Sequence, residues 1–120
     1  MTVVWAAALN APRWDREPVW FHGDFHTGNL LTSRGRVTAV IDFGALGVGD
    51  PACDLMVADT LMPPRSRGTF RDALGLDDAT WTRGRGSALC SGLNAYTSYA
   101  ATKARIAVST ARQITQALIG

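Results

Sequence analysis

The spacing of apolar residues changes along the chain, and each change marks an element. Residues 2–9 are rich in alanine, valine and leucine and predict the tail of an amphipathic helix, stopped by Asn10-Ala11-Pro12. Arg13 to Pro18 is a polar loop that leads into a short strand, Val19-Trp20-Phe21. Two further β-rich runs, Asn29 to Ser33 and Val37 to Ile41, are separated by Arg34-Gly35, the composition of a hairpin with a two-residue turn. The glycine density of Ala45-Leu46-Gly47-Val48-Gly49 predicts a tightly folded loop.

From Asp50 onward the period becomes helical. Asp50 reads as an N-cap with Pro51 at the first helical position. That helix runs to about Leu61 with Leu55, Ala58 and Met62 as its apolar stripe, and Met62-Pro63-Pro64 closes it. A short helix over Arg65 to Leu74 follows, stopped by Gly75, and Asp77-Asp78 caps the next. Trp81, Ala88, Leu89, Leu93, Tyr96 and Ala100 recur at helical spacing from Ala79 to about Ala100. Gly84, Gly86 and Gly92 each weaken this helix by roughly 1 kcal/mol relative to Ala, and close helix packing is the expected reason for them. A last helix from about Thr102 to Leu118 places Ile106, Thr110, Ile114 and Leu118 on one face. The aromatic residues Trp81, Tyr96 and Tyr99 are expected in the core.

At 120 residues the chain makes one domain at most. Its 47% apolar and 18% charged residues with a net charge of +2 are those of a globular protein. That balance gives no case for a nucleic-acid partner or an anionic membrane. Cys53 and Cys90 form neither a disulfide framework nor a metal spacing, so they are expected as free, buried thiols in a reducing cytoplasm. The apolar start lacks the basic region of a signal peptide, and no run approaches a membrane span.

Candidate chemistry concentrates between residues 20 and 44. The hairpin would bring Asn29, at the start of its first strand, close to Asp42, at the end of its second, with Asp24 in the loop just before. An amide oxygen and a carboxylate suit Mg²⁺, which takes oxygen ligands and usually only one or two from protein, with substrate phosphates supplying the rest. Asp24 is left to accept the proton of an attacking hydroxyl. Phosphoryl transfer asks for little more than such positioning and charge neutralisation.

The motifs His22-x-Asp24-x4-Asn29 and Asp42-Phe43-Gly44 resemble the catalytic and metal loops of the protein-kinase-like fold. With His26, Gly28, Ile41 and the run Gly47-Val48-Gly49-Asp50-Pro51-Ala52-Cys53-Asp54-Leu55, they resemble the aminoglycoside phosphotransferase family of small-molecule kinases. The separations of 5 from Asp24 to Asn29 and 18 from Asp24 to Asp42 agree with that pattern. The resemblance implies an α+β, mostly helical fold: a protein-kinase-like C-terminal lobe whose small hairpin carries the two loops. It implies Asp24 as catalytic base, Asn29 and Asp42 as Mg²⁺ ligands, ATP or GTP as donor and a small-molecule hydroxyl as acceptor. His26 is placed for a contact to the transferring phosphate or for bracing the loop, and His22, Asp50 and Asp54 for structural support. Leu31 and Ile41 would floor the nucleotide base, or simply pack in the core.

The one lysine is Lys103, and no Gly-rich strand-turn-strand precedes Asp24. The resemblance, from about residue 14 to the end, therefore covers a C-lobe alone; residues 1–120 are expected to form a single partial domain, and apolar surface left by an absent N-lobe is expected to drive self-association. A non-catalytic lobe that is inactive without a partner is the second reading. A hydrolase that binds metal through His22-x-Asp24-x-His26 is the third, weakened because zinc sites usually take three N or S donors. An acidic pocket made by Asp72, Asp77 and Asp78 competes with a solvated surface and a helix cap.

Overall fold

The computed structural model of the protein describes residues 1–99 and 101–119. Among these, four short strands form two separate antiparallel pairs beside five α-helices. Strand β1 (Val19–Phe21) pairs with β4 (Gly47–Gly49), and β2 (Leu30–Ser33) pairs with β3 (Arg36–Val40). The helices are α1 (Thr2–Asn10), α2 (Met56–Leu61), α3 (Pro64–Leu74), α4 (Asp78–Tyr99) and α5 (Ala104–Ile119). Ala100, placed on the α4 stripe by its spacing, lies outside the described residues.

The β2–β3 hairpin turns at Arg34-Gly35, both with positive φ (52° and 74°), the backbone of the primed turn that matches strand twist. The loop expected over Ala45 to Gly49 is instead a turn followed by a strand. Gly47 lies opposite Phe21, and a Cβ there would come within 2.7 Å of Phe21 Cε2. Glycine admits the ring, so the glycine density marks close packing rather than irregular backbone.

Asp50 caps the next segment through Ala52 N (3.0 Å), with Pro51 at the first position as expected, but the turn it starts is 3₁₀ over Pro51–Leu55 before α2 begins. Helix α3 ends at Gly75 in the left-handed conformation (φ 61°). Asp77 caps α4 by accepting Thr80 N at 2.7 Å, and that bonding to Thr80 holds its carboxyl below the usual carboxylate range. Helix α5 starts at Ala104, two residues later than expected, after a turn closed by Lys103 N on Tyr99 O (2.9 Å).

Helix α4 is the centre of the packing, touching α1, α2, α5 and the Pro51–Leu55 turn. Its glycines mark three of these contacts. A Cβ on Gly84 would meet Leu55, one on Gly86 would meet Ala8 of α1, and one on Gly92 would meet Ile114 of α5. The core gathers Met56, Ala88, Leu89 and Ala117, flanked by Val4, Leu93, Ile114 and Leu118. Burying Leu89 alone contributes roughly 1.5–3 kcal/mol. Gln113 Nε2 donates to Ala88 O at 2.8 Å, and Arg85 caps the end of α5 through Ala117 O and Leu118 O.

Four expectations about burial and packing are overturned. Tyr96 and Tyr99 are exposed, and Trp81 is half-buried, because the inward stripe of α4 ends near Leu93. Helix α1 has no buried residue and is apolar on nearly every face, touching its neighbours mainly through Val4 and Ala8. Leu31 and Ile41 are 49% and 41% exposed, which removes the simple core-packing account of both. The thiols of Cys53 and Cys90 are free, but half-buried rather than buried.

Candidate active site

β1 delivers the chain to His22, and Gly23 turns it with φ 90°, a backbone open to glycine. Asp54, in the 3₁₀ turn, accepts His22 N at 2.8 Å and Gly23 N at 2.9 Å with its two carboxylate oxygens. The buried His22 ring then ties two loops together. Its Nδ1 accepts Asp24 N (3.2 Å), and its Nε2 lies 2.8 Å from Ile41 O. An acceptor on one side and a donor on the other fix the neutral tautomer with its proton on Nε2. Phe43 and Phe25 hold the ring from the sides, with centroids 4.8 and 5.7 Å away. With both nitrogens engaged, His22 offers nothing to a metal, which undercuts a His22-x-Asp24-x-His26 metal site.

Asp24 is 45% exposed at its side chain. Its backbone carbonyl and Oδ2 both accept Asn29 Nδ2, at 2.8 and 3.0 Å. Its Oδ1 lies 3.3 Å from His26 Nε2. Gly28 N donates to His26 Nδ1 at 3.0 Å, so the imidazole proton resides on Nε2 and faces Asp24. Asn29 is buried in a 3₁₀ turn, Thr27–Asn29, just before β2. Because its NH₂ group is committed to Asp24, its amide oxygen is the group left over.

The hairpin closes the distance to the second loop. Ile41 N donates to Asn29 O at 2.9 Å, and Asp42 follows with φ 59°, a left-handed backbone that costs an L-residue roughly 1–2 kcal/mol. Among the described residues no protein donor engages the Asp42 carboxylate or the Asn29 amide oxygen. Direct contacts thus join Asp24, His26 and Asn29. His22 and the hairpin link Asp42 to them through backbone.

Behind this cluster a cleft of about 630 Å³ opens at Gly23 and Asp24, walled by α1, the Pro51–Leu55 turn and α4. Asp50 reaches it paired with Arg83, whose Nε and Nη2 lie 2.8 and 3.2 Å from the two carboxylate oxygens. Arg83 also donates to Thr80 Oγ1 and to Pro12 O. Cys53 lines the cleft too, its thiol pushed up to about 11 by burial, with the charges of Asp54 and Asp50 adding to the shift. Asp72, Asp77 and Asp78 are not among the residues of the cleft. Asp77 caps α4 and Asp78 pairs with Arg71.

Sequence reasoning missed Arg83 and the buried pair Asp59–Arg67, since both are long-range contacts with no local signature. The spacing of Arg83, Ser87, Ser91 and Asn94 on α4 was the available signal for a polar helix face.

Residues 1–89 match the phosphotransferase enzyme family. The chain belongs to the phosphotransferase enzyme family. No curated protein matches it. A solved structure that it resembles is a thermostable mutant of the aminoglycoside phosphotransferase APH(4)-Ia, in ternary complex with AMP-PNP and hygromycin B. The TM-score is 0.54 at 24% identity, over 98% of this chain and 43% of that one. The likeness shows the fold: an α+β, mostly helical, kinase-like arrangement. This phosphotransferase chain spans less than half the length of that structure.

Proposed function

We propose that the chain is the C-terminal lobe of a small-molecule kinase that transfers the γ-phosphoryl of ATP or GTP to an acceptor hydroxyl. The observation that carries this reading is the lock between Asp24 and Asn29 at 2.8 and 3.0 Å, which leaves one amide oxygen and, across the hairpin, one unengaged carboxylate. Two oxygen donors fit Mg²⁺, which takes few protein ligands, and Asn29 and Asp42 would hold it. When bound, the ion neutralises phosphate charge. The left-handed Asp42 is consistent with a backbone strained to aim its carboxylate.

Asp24 orients the acceptor hydroxyl and takes its proton as the new O–P bond forms and the bond from the γ-phosphorus to the β–γ bridging oxygen breaks, releasing the nucleoside diphosphate. Asn29 holds the Asp24 carboxylate in place by donating to Oδ2, and His26 Nε2 stands 3.3 Å from Oδ1 with its proton on that side. His22, Asp54 and Asp50 fix the loops. The exposed Leu31 and Ile41 offer apolar surface to a nucleotide base. The free thiols of Cys53 and Cys90 suit a reducing cytoplasm, and no helix among the described residues is long and apolar enough to cross a membrane.

The test is nucleotide binding by calorimetry with and without Mg²⁺, on the chain and on Asp42→Ala. Mg²⁺-dependent binding that weakens at least about tenfold in the variant is the expected result. Binding insensitive to both the ion and the substitution would remove the metal-site assignment.

A second reading, a lobe inactive alone, is favoured by the exposed Trp20, Leu31, Phe43 and Val48. It entails self-association through that apolar surface and no turnover by the purified chain. Measured turnover would overturn it.

A further inference from the structure

We propose that the acceptor is an uncharged, hydroxylated ring compound and that Arg83 sets this preference by cancelling Asp50; the proposal rests on Asp24 as the base. The charged groups of the cleft are Asp24, Asp50 and Arg83. Asp50 is fully occupied, since Arg83 spans both its oxygens and Ala52 N donates to Oδ1 at 3.0 Å. That leaves Asp24 as the sole uncancelled acid, and its oxygens already accept from Asn29 and face His26.

A compound with several ammonium groups would bring more positive charges than the cleft has free carboxylates. Burying the unmatched ones is costly. The walls are built for something else. Ser87, Ser91 and Asn94 line the cleft from α4 at i, i+4 and i+7, which places them on one helix face. They present hydroxyl and amide groups that both donate and accept. Trp5, Leu9 and Met56 supply apolar surface to the same cleft. A polar ladder beside an apolar wall matches a ring with hydroxyls along its rim and a C–H face. The volume of about 630 Å³ falls within the roughly 300–1,000 Å³ of small-molecule sites.

The test reads binding alone, without nucleotide or Mg²⁺, by amide and indole NMR shifts of the ¹⁵N-labelled full chain. The probes are p-nitrophenyl β-D-glucopyranoside, which is neutral, and hygromycin B, which is polycationic. The expected result is saturable shifts of the Trp5 indole and of Ser87, Ser91 and Asn94 with the glycoside, and none with hygromycin B at equal concentration. Arg83→Gln should then admit hygromycin B, while Ser91→Leu should abolish the glycoside shifts. Because Arg83 also holds Pro12 and Thr80, Ser91→Asp provides a second route: the added carboxylate should bring out hygromycin B shifts of the Trp5 indole that the unsubstituted chain lacks.

Tighter binding of hygromycin B than of the glycoside to the unsubstituted chain would overturn the proposal. So would the absence of any cleft shift with the glycoside at about 10 mM, well above the dissociation constants of specific small-molecule complexes. Failure of Asp24 as base would appear elsewhere, as phosphoryl transfer unaffected by Asp24→Asn, with the binding pattern intact.

Discussion

Arg67 Nη1 stands 3.3 Å from Asp59 Oδ1, with side chains only 10% and 9% exposed. The pair joins α3 to α2, and Arg67 Nη2 extends it to α5 through Gln116 Oε1 at 2.7 Å. Burial raises the Asp59 carboxyl above its ordinary value despite the opposing charges of Arg67 and Arg85. Arg67 Nε is buried with no partner, next to a void of about 10 Å³, close to the space that one water needs.

A carboxyl whose folded pKa is raised binds more protons in the folded than in the unfolded state. Its contribution to stability is therefore greatest below the unfolded value and declines as pH rises through the folded one. Arg67→Leu should raise that folded value further and cost about 3–5 kcal/mol near pH 8. The loss should shrink as pH falls, because a buried carboxylate without its partner favours the neutral form. Urea melts across that range check it; an equal loss at pH 5 and pH 8 would count against a buried ionised pair.

Two glycines in helices should respond oppositely to alanine. Gly68 in α3 has nothing within 4 Å of the place an alanine methyl would take, so Gly68→Ala should stabilise by about 0.5–1 kcal/mol through helix propensity. Gly84 in α4 would drive its Cβ to 2.8 Å from Leu55 Cβ and 3.1 Å from Ala52 O. Overpacking there costs about 1–3 kcal/mol, which exceeds the propensity gain. Gly84→Ala should thus be net destabilising, and thermal melts of the two variants should move in opposite directions.

These contrasts show what the sequence made legible. Local signals carried well at Arg34-Gly35, which marks its turn, and Asp50-Pro51, which marks its cap, but only the Ala88 and Leu89 part of the described α4 stripe is buried. The closeness of Asn29 to Ile41-Asp42 was readable because pairing of β2 with β3 converts sequence distance into spatial order. Long-range pairing was not. Nothing near Gly47 announces that Phe21 will lie against it, and nothing near Asp50 announces Arg83, because such contacts depend on where α4 settles. Exposure failed for a related reason: Tyr96, Leu31 and Ile41 look like core residues, yet nothing in the described fold covers them.

Cys53 should be a slow nucleophile although it lines the cleft. Burial, helped by Asp54 and Asp50, pushes its thiol up to about 11, and only the thiolate reacts with alkylating agents. In a Cys90→Ser background, iodoacetamide labelling of Cys53 should be marginal at pH 7 and climb about tenfold per pH unit toward pH 10. Mass spectrometry of the native chain reads this directly. Complete labelling within minutes at pH 7 would mean that the Cys53 site opens far more than the structure shows.

Asp54 offers the sharpest separation of support from chemistry. Its carboxylate holds His22 N and Gly23 N at 2.8 and 2.9 Å, immediately before Asp24, yet it touches neither Asn29 nor Asp42. Asp54→Asn keeps one acceptor oxygen and turns an NH₂ donor toward a backbone N–H. A buried donor left without its acceptor costs about 1–3 kcal/mol, which corresponds to roughly 5- to 150-fold faster opening of the loop. Hydrogen exchange should therefore accelerate at His22 and Gly23, while the α4 and α5 amides around Leu89 and Gln113 stay protected. If Asp54 instead carried a metal or acted on substrate, the substitution would change Mg²⁺-dependent nucleotide binding with exchange at His22 and Gly23 unaltered.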